Sequence, residues 1–383
     1  MDAGWYWNIR QNGYHYTPGQ QSNVAFYPLF PWVWRWAGVG YLGIVLINIG
    51  VLLFSLYLLV ITYKVEQRYL LLLLATPSLI FSFVPYSESI FFLGATLLII
   101  GFNKSSWHLI LIGSIVSCLT RSASAILVLC LVFTYLLCEF PVVRWQRIRL
   151  YIFGITAALT SSMVVRWAQI SEAGVNFSLF EVQSQWNRHF GFPSFPITTI
   201  TVKSLVWNDF LALFVGLLSG LVILYYVYQR ISHNQKKNAD WTISMLYIAG
   251  ITCVTLLFSG TYGERGTSVH SLNRFIFATP FFTVFLIYQL KRLTITKEVL
   301  ALCFIVFGSV YLSFIIGSTG PNASLRFHAL TFGYFLVMAF IPVAYLETIK
   351  RKSSTKFWVL LYGVLILLQS YAYCAHLSGL RVG

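Results

Sequence analysis

Residues 38–63 read GVGYLGIVLINIGVLLFSLYLLVITY, from Gly38 to Tyr63. The run carries no charged residue and is long enough to cross a bilayer, for which about 20 apolar residues suffice. Similar runs recur in both directions along the chain. In order they cover 38–63, 69–84, 88–102, 109–120, 124–141, 150–166, 205–229, 241–259, 274–290, 298–316, 327–348 and 357–377. The whole sequence of 383 residues is 58% hydrophobic and only 10% charged, where a soluble domain carries about 25% charged residues. Its mean hydropathy is +0.74. The fold class expected is all-α: a polytopic membrane protein of about twelve transmembrane segments, forming one integral membrane domain over 1–383. The segments 69–84, 88–102 and 109–120 are short for a span. They predict tilted, re-entrant or protein-buried pieces.

The net charge of +15 invites a nucleic-acid reading, but the basic residues sit in short loops between apolar runs. One alternate set of loops holds Lys64 and Arg68; Lys104; Arg144, Arg147 and Arg149; Arg230, Lys236 and Lys237; Lys291, Arg292 and Lys297; and Lys350, Arg351, Lys352 and Lys356. The rest of the basic residues, nearly all Arg, are spread over longer loops. The excess of Lys and Arg in the first set predicts that these loops face the cytoplasm. Topology thus accounts for the charge; the partners expected are membrane lipids, with no nucleic acid. Both chain ends and the long loops 1–37 and 167–204 are predicted outside the cytoplasm. The membrane expected is the bacterial inner membrane, or the endoplasmic reticulum in a eukaryote. The cytoplasmic loops leave little room for a site, so function is expected on the outer face. Cys118, Cys130, Cys138, Cys253, Cys303 and Cys374 all lie in apolar runs without C-x-x-C spacing and read as small buried hydrophobes. No cleavable signal peptide is expected, since the chain opens on polar and aromatic residues.

The first outer loop begins Met1-Asp2-Ala3-Gly4-Trp5-Tyr6-Trp7 and continues through Gly13-Tyr14 to Phe26-Tyr27-Pro28-Leu29-Phe30-Pro31. Asp2 is its one carboxylate. It is either a general base with apolar walls or an ordinary terminal residue, since termini fray. Glu88 follows Pro85-Tyr86-Ser87 and opens an apolar run. Carboxylates at membrane depth face the protein interior or a wet cavity. Glu88 is therefore a substrate contact, a partner for Arg121, or a helix-start charge capped by Ser87. Arg121 lies between two apolar runs and Arg274 opens another. Each is a fixed cation for a phosphate, by its planar donor fork, or a snorkelling interface arginine. His189 and His270 lie in outer loops without metal-ligand spacing, and neither a metal nor another cofactor is expected. Trp5, Trp7, Trp32, Trp34 and Trp36 have rings to stack on a sugar or to form an interfacial belt. Asn176-Phe177-Ser178 and Asn322-Ala323-Ser324 fit a glycosylation sequon.

The opening loop resembles the signature of the PIG-V type of mannosyltransferase, within the GT-C superfamily of membrane glycosyltransferases. Asp2, Trp5-Tyr6, Ile9, Gly13-Tyr14 and the run from Phe26 to Pro31 match in order. Pro85-Tyr86-Ser87-Glu88-Ser89, Leu119-Thr120-Arg121-Ser122 and Ser271-Leu272-Asn273-Arg274-Phe275 resemble three further segments of that family. Two departures stand out. Met1 occupies the place of an aromatic residue, and the family's first transmembrane helix precedes this loop, so the fold expected is GT-C-like without that helix.

The resemblance implies transfer of mannose or a related hexose from a polyprenyl- or dolichyl-phosphate carrier to a glycan or glycolipid acceptor, with inversion. One setting for such chemistry is GPI-anchor biosynthesis. Asp2 then becomes the base and Glu88 a second catalytic carboxylate. Arg121, Arg274, His270, Trp5, Tyr6 and Tyr27 become substrate contacts. Two other classes compete. One is a non-catalytic assembly subunit working with a small membrane partner. The other is a lipid-linked-sugar transporter or flippase, which needs charges or broken helices near mid-membrane and is disfavoured by the nearly charge-free centres of the runs.

Overall fold

A computed structural model describes residues 2–65, 76–138, 144–186, 188–194, 197–198, 206–233, 238–260 and 267–292, with Leu74 and short helical pieces between 362 and 374. The predicted segments 298–316 and 327–348, most of 357–377, Cys303 and Asn322 lie outside the described residues.

The described chain is mostly helical. Two short helices come first, α1 (Asp2–Asn12) and α2 (Leu29–Ala37). Then follow α3 (Tyr41–Tyr63), α4 (Glu88–Asn103), α5 (Trp107–Thr120), α6 (Ser124–Leu137) and α7 (Arg144–Ala173). A short α8 (Leu179–Gln185) precedes α9 (Val206–His233) and α10 (Ala239–Leu257), and α11 (Leu272–Ile276) and α12 (Pro280–Arg292) follow. Among the described residues, four helices are long and apolar enough to cross a membrane, over Tyr41–Tyr63, Trp145–Ala173, Asp209–Ser232 and Ala239–Leu257. This is a helical membrane protein. The expectation of about twelve spans is met only in that coarser sense.

Two expectations need correction. The loop 1–37 is not loop throughout, because α1 and α2 lie within it. In the run 69–84, one of the three read as tilted, re-entrant or protein-buried, the described part holds a 3-10 helix over Pro77–Ser82 and non-helical chain that leads to Glu88. The run 274–290 is broken between α11 and α12 at Phe277–Thr279, because Pro280 lacks the N–H that a continuous helix would need.

Helices α4 and α5 form a tight antiparallel hairpin. A side-chain carbon on Gly94 would lie 2.8 Å from the backbone nitrogen and Oγ of Ser117, and one on Gly113 would lie 2.7 Å from the carbonyl oxygen of Gly94 and run into the backbone of Leu98. Small residues at such crossings let backbones approach, the usual basis of helix association in lipid. The core around this hairpin joins Leu52, Phe91, Leu98, Leu131, Ile243 and Phe281 from five helices.

Polar side chains gather at the two ends of the bundle. At one end Asp240 accepts from the Tyr63 hydroxyl at 2.6 Å and from Asn103 Nδ2 and the Tyr288 hydroxyl, each at 3.1 Å. The neighbours of this clasp are Lys64 and Lys104, from the loops predicted cytoplasmic. At the other end lie Asp2, Glu88, Arg121 and Arg274. There, strand β1 (Arg188–Phe190) pairs antiparallel with β3 (Phe258–Gly260), and β2 (Ile197–Thr198) pairs parallel with β4 (Thr267–Ser268). These pairings tie the loop 167–204 to the connection between α10 and α11. Cys118, Cys130 and Cys138 are buried as expected; Cys253 and Cys374 are exposed, on helix faces that the described residues do not cover.

Candidate active site

Helix α1 places the first carboxylate. Asp2, Tyr6 and Ile9 recur at i, i+4 and i+7 and so share one face. Tyr6 and Ile9 are buried, which turns Asp2 toward the bundle. The far end of α1 is pinned by Arg35, which donates to the carbonyl oxygens of Arg10 (2.8 Å) and Ile9 (2.6 Å). A cation suits the negative end of a helix. Gly13, at φ +76°, then turns the chain, and Tyr14 N donates to Glu172 Oε2 of α7 at 2.9 Å. Gln169 Nε2, also from α7, donates to the Val24 carbonyl at 2.9 Å. The first loop is thereby held against one of the four helices long and apolar enough to cross a membrane.

The second carboxylate is placed by the chain between the 3-10 helix and α4. Asn48, inside the apolar α3, donates from Nδ2 to the carbonyl oxygens of Val84 (2.8 Å) and Tyr86 (3.0 Å). These carbonyls lie in non-helical backbone, which needs such partners at membrane depth. Asn48 is two turns into α3, about 10 Å along its axis at 1.5 Å per residue. Glu88 therefore starts α4 below the end of α3, and its side chain is fully buried.

Two guanidiniums meet Glu88. Arg121 Nη2 lies 3.1 Å from Glu88 Oε1, and Arg274 Nε donates to the same oxygen. Arg274 Nη1 reaches Asp2 Oδ2 at 2.6 Å. The result is a continuous line Asp2–Arg274–Glu88–Arg121 with two negative and two positive groups. Aromatic faces enclose the cations: Arg274 lies 4.6 Å from the Tyr86 ring centroid, and Arg121 lies 4.7 Å from that of Phe275. The Tyr6 hydroxyl donates to Ser87 Oγ at 2.9 Å, next to Glu88.

Only Asp2 of the four is substantially open, with its side chain 31% exposed. Burial pushes the Asp2 carboxyl up, but the charge and hydrogen bond of Arg274 outweigh it and hold the group below its ordinary value. Asp2 is therefore ionised at neutral pH. Burial, with the nearby charges of Glu88 and Asp2, pushes the Tyr6 hydroxyl up, so it stays a donor. Glu88 Oε2, Arg121 Nη1 and Asn273 Oδ1 are buried without a hydrogen-bond partner among the described residues. Buried polar atoms are rarely left so in a settled interior.

The other sequence candidates are placed elsewhere. Trp5 packs on Phe26 and Trp186, at 6.0 and 5.4 Å between centroids, and joins the two long loops. Tyr27 is half-buried, with its hydroxyl pushed up by burial, and no hydrogen bond links it to the four charges. His270 sits in the turn before α11, its backbone N 3.3 Å from Ser268 Oγ. Among the described residues no group of three or more His, Cys, Asp and Glu could hold a metal ion. Asn48, Glu172 and Asp209 were not singled out from sequence. A lone amide in an uncharged span was the available signal for Asn48, since it needs partners there.

Comparison with family models, with curated proteins and with solved structures finds no match to this chain.

Proposed function

We propose that this protein is an inverting glycosyltransferase that moves a hexose, mannose or a relative, from a polyprenyl-phosphate carrier to an acceptor hydroxyl on the extracytoplasmic face. The observation that carries the reading is the convergence of Asp2, Glu88, Arg121 and Arg274, from four separate stretches of sequence, at the end of the bundle opposite Lys64 and Lys104. That convergence joins the opening loop, the stretch most like the PIG-V pattern, with the three further segments that resemble it more weakly.

The chemistry follows from the groups. The acceptor oxygen attacks C1 of the sugar on the face opposite the phosphate. A new C1–O bond forms as the C1–O bond to phosphate breaks, and the bonding pair leaves with the polyprenyl phosphate. The acceptor hydroxyl becomes acidic as it bonds, and Asp2, already ionised and partly open, takes its proton. Arg274 and Arg121 face the negative charge that grows on the leaving phosphate. A hydroxyl gives and accepts hydrogen bonds, so sugar hydroxyls would satisfy both Glu88 Oε2 and Arg121 Nη1.

The test uses the full chain in lipid nanodiscs with radiolabelled polyprenyl-phosphate mannose and a mixed glycolipid acceptor pool. Labelled product with the opposite anomeric configuration is expected, and a water-soluble nucleotide sugar should give none. Product formed only from the nucleotide sugar would contradict the proposal.

A further inference from the structure

Helix α11 carries Arg274 yet has only five residues. A helix that short has no stability of its own, because nucleation costs more than so few bonds return. Its first amides also need partners. The usual partner is the side chain of the preceding residue, but Ser271 stands there in the left-handed conformation, at φ +68°, and makes no capping hydrogen bond.

The cap comes from another helix. Asp209, in the first turn of α9, accepts at Oδ1 from Asn273 N and Asn273 Nδ2, each at 2.9 Å, and at Oδ2 from Ser271 N at 3.3 Å. Asp209 is 3% exposed. A carboxylate there also suits the positive end of α11. Asn273 is the residue immediately before Arg274. The carboxylate that captures its amide therefore fixes where the Arg274 side chain departs, and so whether its guanidinium spans from Glu88 to Asp2.

We propose that Asp209 is the positioning residue for Arg274, capping α11 from α9 so that the guanidinium bridges Glu88 and Asp2. Its importance for sugar transfer rests on the function proposed above; the placement itself does not. The rival role, a charge serving only the start of α9, does not account for bonds that run to α11.

The sequence makes a direct test practical, because Asp2, Asp209 and Asp240 are its three aspartates. Protein labelled with 13C at aspartate side chains, in nanodiscs, gives carboxyl signals that Asp2→Asn and Asp240→Asn assign. The charged or titratable groups around Asp2 are Arg274, the chain's amino-terminal amine and Arg121, then Glu88, Tyr6 and Tyr86. In the wild type Asp2 should titrate below its ordinary midpoint. In Asp209→Ala, and in Asp209→Asn where one acceptor oxygen becomes a donor, the midpoint should rise toward about 3.9, the value of a free side chain. Asp240, at the opposite end, should keep its signal and so report an intact fold. An unmoved Asp2 midpoint in both variants would overturn the proposal. So would displacement of the Asp240 signal in both, which would give Asp209 a role in folding at large. A protein without transferase activity would leave this titration result standing, so the two proposals fail separately.

Discussion

Arg274 Nη1 and Asp2 Oδ2 stand 2.6 Å apart, although 272 positions separate them in the chain. This bond closes the bundle on itself: the opening helix is held against a cation whose other face is held by the buried Glu88. The stability of that end and its chemistry thus depend on the same few charges.

Removing Arg274 should be costly. Arg274→Ala leaves Glu88 buried with one cation fewer and removes the guanidinium bonded to Asp2, and breaking a buried pair on one side costs about 3–5 kcal/mol. Adding Glu88→Gln removes the stranded charge and should restore part of the loss. Thermal unfolding in nanodiscs of the two single variants and the double variant measures the coupling; strict additivity would argue against the pair.

The Asp2–Arg274 bond also sets a pH dependence. The folded Asp2 carboxyl lies below its unfolded value, so its contribution is complete above the unfolded value and is lost as pH falls through the folded one. The stability difference between wild type and Asp2→Asn should be constant from pH 8 down to about 5 and shrink below about 4. A difference that instead grows on acidification would contradict the assignment.

The α4–α5 hairpin should tolerate no side chain at Gly113. Gly113→Val forces a branched group into the backbone of Leu98, and overpacking of this kind costs about 1–3 kcal/mol or more. Yield and unfolding temperature should both fall. At Gly50 an added carbon meets nothing within 4 Å among the described residues beyond its own helix backbone, so Gly50→Ala should leave both unchanged.

The clasp at the far end offers a control. Asp240→Ala removes the acceptor shared by the Tyr63 and Tyr288 hydroxyls and Asn103 Nδ2, and losing one partner of a buried hydrogen bond costs about 1–3 kcal/mol. Stability should drop while transfer per folded molecule stays at the wild-type level.

Much of this layout is legible in the sequence. Uncharged runs such as 38–63 and 241–259 map onto helices long and apolar enough to cross a membrane, because bilayer thickness sets that length. Asp2, Glu88, Arg121 and Arg274 stand out because charges are scarce in such a chain. The helix α1 is not legible: its three turns carry Trp and Tyr on several faces, and its amphipathic stripe is weak. The break before Pro280 was hidden inside an apolar run. Asp209 reads as an ordinary carboxylate at a helix start, since nothing local tells that its hydrogen bonds go to a segment 62 to 64 positions away.

The most direct test of the account compares wild type with Asp2→Asn in transfer of mannose from polyprenyl phosphate, at equal amounts of folded protein. Loss of a positioned base lowers rates by about 100-fold to 10,000-fold. A fall of that size, with the helical content and folded yield of Asp2→Asn retained, is predicted; equal transfer by the two proteins would contradict it.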